Sequence, residues 1–320
     1  MWKRKNDSAA GYPPEVVTTL DDLMRFEWLV QSTALLPSHP VYSLLVGRHA
    51  SKLRGRGLDF EEVRQYVPGD DIRNIDWLVT ARTGKTHSKV FNEEKERPTF
   101  IVLDQSSWMF FGSQRYVKSV TAAQVAALSA FYTLKRGDRT GGIIFNEDGF
   151  DHISPRRSKG LLQYYLQCVV KRNELLPLRK TVYPNTNLLN RMLKQTASSV
   201  THDYVIAVIS DFSMIDEETK ERLKIMSYHN DVILVHIYDA WDETLPDGKL
   251  VLTDGKHQVA WNNKKHHWGE DYHTAFTKMR EQLTAEFMHT GIPIVFYNTT
   301  EPVEDQVSYH MGKITKRRKI

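Results

Sequence analysis

The 320-residue chain contains one cysteine, Cys168, so no internal disulfide can form and a reducing compartment is expected. No apolar run approaches the roughly 18 residues needed to span a bilayer. The opening MWKRKNDSAAGYPP has charge but lacks the apolar stretch and cleavage site of a leader peptide. Together these absences predict a soluble, cytoplasmic protein. Charge of one sign is also scarce: 43 Lys and Arg against 39 Asp and Glu leave a net +4, too mild to argue for nucleic acid or an anionic membrane. Neither the Gly-x-Ser-x-Gly elbow nor His-Glu-x-x-His occurs. Gly84-Lys85-Thr86 looks like the end of a phosphate-binding loop, but the position that must be Gly is Val79, which excludes nucleotide binding there.

What is present suits a globular chain. Apolar residues make up 41% and charged residues 26%, so long-range disorder is not indicated. The length allows one large core, or one core with a satellite. Residues 1–20 read as a loose polar arm, and Asp21 to Gln31 repeats apolar residues at helical spacing behind two N-terminal acids. From residue 98 short apolar runs alternate with helical patterns. Thr99 to Asp104 and Tyr204 to Ser210 read as strands buried on both faces. Helices are expected over Lys118–Leu134, Lys159–Lys171, Leu188–Ser198, Glu217–Tyr228 and Asp271–His289, with strands at Gly142–Phe145, Val232–Tyr238 and Pro293–Tyr297. Residues 240–270 suggest a β meander and Pro302–Met311 a closing helix. Such alternation predicts an α/β fold, a doubly wound, mostly parallel sheet with helices on both faces. Cys168, within LLQYYLQCVV, reads as a small buried hydrophobe.

Between 52 and 97 lies a block of different character, with ten positive and nine negative residues around Phe60, Tyr66, Ile75, Trp77 and Phe91. Gly69-Asp70-Asp71 is turn chemistry, and Arg73 to Ala81 alternates as a strand would. Arg64, Asp70, Arg73, Asp76 and Arg82 suggest interlocked ion pairs, since guanidinium groups make two-pronged contacts with carboxylates and stack on rings. Such a network either pins a small β element or forms a docking face. Arg54, Arg56 and Trp77 complete the candidate set.

The ordered set Gly55, Gly57, Phe60, Arg64, Tyr66, Gly69-Asp70-Asp71, Arg73, Ile75-Asp76-Trp77, Ala81-Arg82 and Phe91 to Glu94 resembles the bacterial domain-of-unknown-function fifty-eight family. Members pair this motif region with a von Willebrand factor A-like domain. The resemblance implies a helix plus small β-rich motif region over 21–97, an A-like domain over 98–312 and a basic tail over 313–320.

An A-like domain implies a metal-ion-dependent adhesion site. Its three loops correspond to Asp104-Gln105-Ser106-Ser107-Trp108, Thr186 and Asp211, and magnesium is the cation such oxygen donors would take. Trp108 replaces the last serine of the first loop, so the expected site of Asp104, Ser106, Thr186 and Asp211 is degenerate. The resemblance further implies a non-enzymatic adaptor that works with a MoxR-type AAA+ ATPase on a client protein during assembly or maturation. Two other functions are weighed beside it. One is a divalent-metal-dependent hydrolase at the same place with Asp239 as base. The other is nucleic-acid association through the tail, where five of eight residues are basic. His266, His267 and His273 match no metal-ligand spacing and read as loop residues.

Overall fold

The computed structural model describes residues 11–32, 58–93, 97–179, 186–213, 215–246, 249–253, 258–262 and 268–310. The chain divides into two compact units, residues 51–96 and the remainder. In the larger unit the elements run α1 (Leu20–Ser32), β3 (Thr99–Asp104), α3 (Lys118–Lys135), β4 (Thr140–Asn146), β5 (Gly149–Arg156), α4 (Lys159–Leu175), α5 (Thr186–Ser199), β6 (Val205–Ser210) and α6 (Glu217–Ser227). They continue through β7 (Asp231–Tyr238), α7 (Ala240–Glu243), β8 (Lys249–Thr253), β9 (Gln258–Asn262), α8 (Trp268–His289), β10 (Ile294–Asn298) and α9 (Val303–His310). The smaller unit holds β1 (Leu58–Gln65), α2 (Trp77–Thr83) and β2 (His87–Glu93).

Six strands of the larger unit form one sheet in the order β10-β7-β6-β3-β4-β5. Neighbours pair in parallel except β5, which returns antiparallel on β4. All six residues of β3 are buried, because both faces of the sheet are covered. Successive side chains of a strand point to opposite faces. Ile101 and Leu103 therefore pack on one side with Leu23 and Phe26 of α1, Ala126 of α3 and Leu166 of α4. Phe100 and Val102 pack on the other with Met192 of α5, Leu223 of α6 and Phe287 of α8. The α/β architecture with a mostly parallel sheet is as expected from the alternating pattern.

Three assignments differ from the sequence reading. Helix α1, expected alongside the motif region, joins the larger unit instead. It places Leu23, Phe26 and Val30 in that core, and Thr19 and Asp22 cap its first turn through reciprocal hydrogen bonds. Residues 240–262 contain a short helix and the hairpin β8-β9 rather than a meander. Residues 73–81 form no strand. They contain a 3-10 turn over Ile72–Asn74 and then α2, because Asp76 caps the Leu78 and Val79 amides and Gly84, at φ 71°, closes the helix.

The chain crosses from one side of β3 to the other between β5 and β6, so the carboxyl ends of β3 and β6 flank the point where strand order reverses. Open α/β sheets bind ligands there. Gly142 permits this centre to close: a Cβ at that position would lie 2.0 Å from the Ile101 carbonyl oxygen on β3. Gly142→Ala should therefore cost roughly 3 kcal/mol or more, at or above the upper end for overpacking because backbone must move. Thermal unfolding of the purified variant checks this.

Candidate functional site

Asp104 ends β3 and Asp211 immediately follows β6. Both carboxylates are buried. Asp104 accepts the Ser106 amide at 2.9 Å and the Ser210 hydroxyl at 2.7 Å, one on each oxygen. Asp211 accepts the Ser213 amide and hydroxyl on Oδ1 at 3.2 and 2.7 Å. Its Oδ2 receives the Lys118 ammonium at 2.9 Å. Lys118 opens α3 and is itself buried, its Nζ lying 3.4 Å from Asp242 Oδ2 and 5.7 Å from the centre of the Phe111 ring. Asp242 also accepts the Asp239 amide as part of a capping box.

These contacts explain the protonation behaviour. Burial, followed by repulsion from Asp211, pushes the Asp104 carboxyl up to about 6. Burial also works against ionised Asp211, but the charge and hydrogen bond of Lys118 outweigh it and hold Asp211 below the usual range. Burial alone would lower Lys118, yet the charges of Asp211 and Asp242 raise it. Lys118, Asp211 and Asp242 therefore form an ion-pair cluster beside Asp104, with the ammonium and Asp211 both ionised.

The other expected donors are distributed differently. Ser106 lies buried beside Asp104. Ser107 turns away, donating its amide and hydroxyl to Glu147, whose other oxygen meets Arg179 at 3.0 Å. Thr186 is the first residue of α5. Trp108 lines a cleft of about 530 Å³ that Lys118, Asp211, His236, Phe276 and Met279 also border. Asp239, the base of the hydrolase reading, is committed to structure. One oxygen caps the Trp241 amide and the other accepts the Ser113 amide and Thr299 hydroxyl.

This donor set does not fit a hard divalent cation. Magnesium needs oxygens in an octahedron at about 2.0–2.1 Å, whereas the oxygens of Asp104 and Asp211 already accept from protein donors. One of those donors is itself a cation. The residues the sequence reading missed are Lys118, Ser210, Asp242 and His236. A signal for Lys118 existed, as the one charged residue leading an otherwise small and apolar helical face. Asp242 was signalled by its place three residues after the helix-capping Asp239.

The smaller unit resolves the Arg and Asp set. Arg64 donates to Asp70 at 2.7 Å, and Asp70 also caps the Val67 amide, contacts that hold its carboxyl below the usual range, the Val67 bond first. Asp76 caps α2 and pairs with Lys89 at 3.6 Å. Arg73 is not part of a buried pair: its side chain is 89% exposed and, among the described residues, pairs with Asp71 at 4.0 Å. Arg82 is exposed in the last turn of α2. Among the described residues the set forms separate local pairs rather than one interlocked network, and Trp77 and Leu78 are exposed rather than packed among them. Gly84-Lys85-Thr86 follows the end of a helix, the wrong pole for a phosphate. Arg54, Arg56, residues 313–320, His266 and His267 lie outside the described residues.

Residues 62–282 match the family described as Protein of unknown function DUF58, and the chain belongs to it, as the motif block indicated. The uncharacterized proteins Mb1516 of Mycobacterium bovis and Rv1480 of Mycobacterium tuberculosis are each 26% identical over 253 residues, covering 78% of this chain and 77% of theirs. Among solved structures the chain is similar to the conserved hypothetical protein BatB from Bacteroides thetaiotaomicron, at 12% identity and a TM-score of 0.39. That match covers 68% of this chain and 98% of the other. It is also similar to an aerotolerance-related membrane protein from Bacteroides fragilis, at 15% identity and a TM-score of 0.38, covering 68% and 100%.

Two experiments separate these roles. Removing the cap in Asp76→Ala should cost about 1 kcal/mol and speed amide exchange across residues 77–83 roughly fivefold, while Arg73→Ala should stay within about 0.5 kcal/mol of wild type. The second concerns His236, which is buried and whose Nδ1 has no hydrogen-bond partner among the described residues. Burial lowers it from 6.5 to about 4; Asp211 works against that shift, and the Lys118 and Arg280 charges add to it. A histidine held neutral in the folded state contributes stability that is present above its unfolded value and lost as pH falls toward its folded one. At pH 5 the loss should be about 2 kcal/mol, and His236→Leu should remove it. Asp104 titrates with the opposite sign, so the difference between wild-type and variant urea midpoints across pH 7 to 5 isolates His236.

Proposed function

We propose that this chain is a non-enzymatic protein-binding adaptor whose recognition surface is the cleft at the carboxyl ends of β6 and β7. The observation that carries this reading is the composition of the cleft. Trp108, Phe212, Ile215, Phe276, Met279 and Leu283 supply an apolar lining around the buried Lys118–Asp211 pair. Apolar walls with a few fixed polar groups suit insertion of a partner side chain. Helix α8 supplies Phe276, Met279 and Leu283, and the loop after β6 supplies Phe212 and Ile215, so part of the wall is pre-formed before a partner arrives.

The strand order and the loops after β3 and β6 support a von Willebrand factor A-like reading of the larger unit. Family membership, through the resemblance of the motif block, supports a MoxR-type AAA+ ATPase as partner and a client protein as the object of their work. A cytoplasmic setting accords with the lone buried cysteine and with described helices none of which is long and apolar enough to cross a membrane. Hydrolysis is disfavoured because Asp239, its proposed base, is saturated with structural hydrogen bonds.

Capture from native lysate, with and without ATP and magnesium, tests the adaptor reading when read by mass spectrometry. Wild-type protein should recover an AAA+ ATPase. Met279→Glu, at an exposed position bordering the cleft, should recover at least about tenfold less, the loss expected when a charge enters a docking pocket. Recovery of background proteins alone, or equal recovery by a folded variant, would reject the proposal.

A further inference from the structure

The sheet-top site contains its own cation. We infer that the Lys118 ammonium permanently replaces the divalent ion an adhesion site of this kind would hold, so that this chain folds and presents the surface independently of metal.

Four observations converge on this. The ammonium lies 2.9 Å from Asp211 Oδ2 and 3.4 Å from Asp242 Oδ2, bridging two carboxylates as an ion would. Its side chain is 6% exposed and that of Asp211 is 7% exposed, so the charges are withdrawn from solvent and depend on each other. The remaining oxygens of the two strand-end carboxylates are spoken for: Asp211 Oδ1 by Ser213, and the two oxygens of Asp104 by Ser106 and Ser210. Finally, Trp108 carries an indole where a hydroxyl ligand would be needed, and that residue borders the cleft. A metal arriving at Asp211 would have to expel the ammonium, and the two cations would repel at short range in a poorly screened site.

The internal cation also alters what the surface can recognise. A metal-bearing site with an open position accepts a partner's carboxylate. Here Lys118 is answered by Asp211 and Asp242 together, and Lys220 by Glu217 and Glu286. Among the residues lining the cleft, the carboxylates of Asp211, Asp242 and Glu286 outnumber the ammonium groups of Lys118 and Lys220. This surface favours an apolar or cationic anchor over an acidic one, a consequence that rests on the adaptor reading, whereas the metal independence does not.

The test needs no partner. Melting of the wild-type chain is recorded in EDTA and in millimolar magnesium, calcium or manganese, and manganese binding is followed by electron paramagnetic resonance. Superimposable melting curves and undiminished free-manganese signal are expected. A saturable rise of several degrees with any of the ions, the response of a site filled well above its dissociation constant, overturns the inference. Lys118→Ala then frees Asp211 and Asp242 to bind an ion: its melting temperature in EDTA should fall, and manganese should restore part of the loss saturably. A folded variant as stable as wild type, or one indifferent to manganese, overturns the inference as well. If Lys118→Ala fails to fold without metal, the wild-type measurements still decide. Because capture of a partner is not read, failure here is distinct from failure of the adaptor reading.

Discussion

Burial of β3 on both faces is the constraint on which the larger unit depends. A strand whose six side chains are all inside must be covered above and below, and the two apolar clusters meet along it through alternating residues. The same strand needs close neighbours, which Gly142 allows by letting the Ile101 carbonyl approach. Once β3 lies between β4 and β6, its carboxyl end is fixed in the interior beside that of β6. Asp104 and Asp211 are thereby placed together in a region of low polarity, and their charges have to be answered from within the chain.

Lys118 supplies that answer for Asp211. A lysine in the first turn of a helix is unfavourable for the dipole, and burying it alone would cost several kcal/mol. Paired with Asp211 and Asp242 it becomes part of the scaffold. Asp104 has no such cation and relies on two hydrogen bonds, which is why its proton affinity rises while that of Asp211 falls. The cleft beside this cluster combines a charged floor with aromatic and aliphatic walls.

The smaller unit shows how local chemistry can override pattern. Residues 73–81 alternate in polarity, yet Asp76 and Gly84 bracket residues 77–83 with helix-capping chemistry, and the caps prevail. Capping satisfies backbone amides that would otherwise lack partners, whereas alternation only rewards a strand that has a neighbour to pair with. The dense Arg and Asp residues looked like one network because sequence proximity conceals direction. Arg64 and Asp76 face partners, but Arg73 projects into solvent.

The sequence alone determined the fold class, most of the helices and strands of the larger unit, and the family, since apolar periodicity and an ordered run of motif residues are local properties. It also pointed to Asp104 and Asp211, because acids that follow buried strands are recognisable one strand at a time. Only the tertiary structure decided what those acids bind. Lys118, Asp211 and Asp242 lie 93 and 31 residues apart along the chain, and no periodicity relates them. Their meeting follows from strand order at the centre of the sheet, where removal of water makes each charge seek the nearest opposite one.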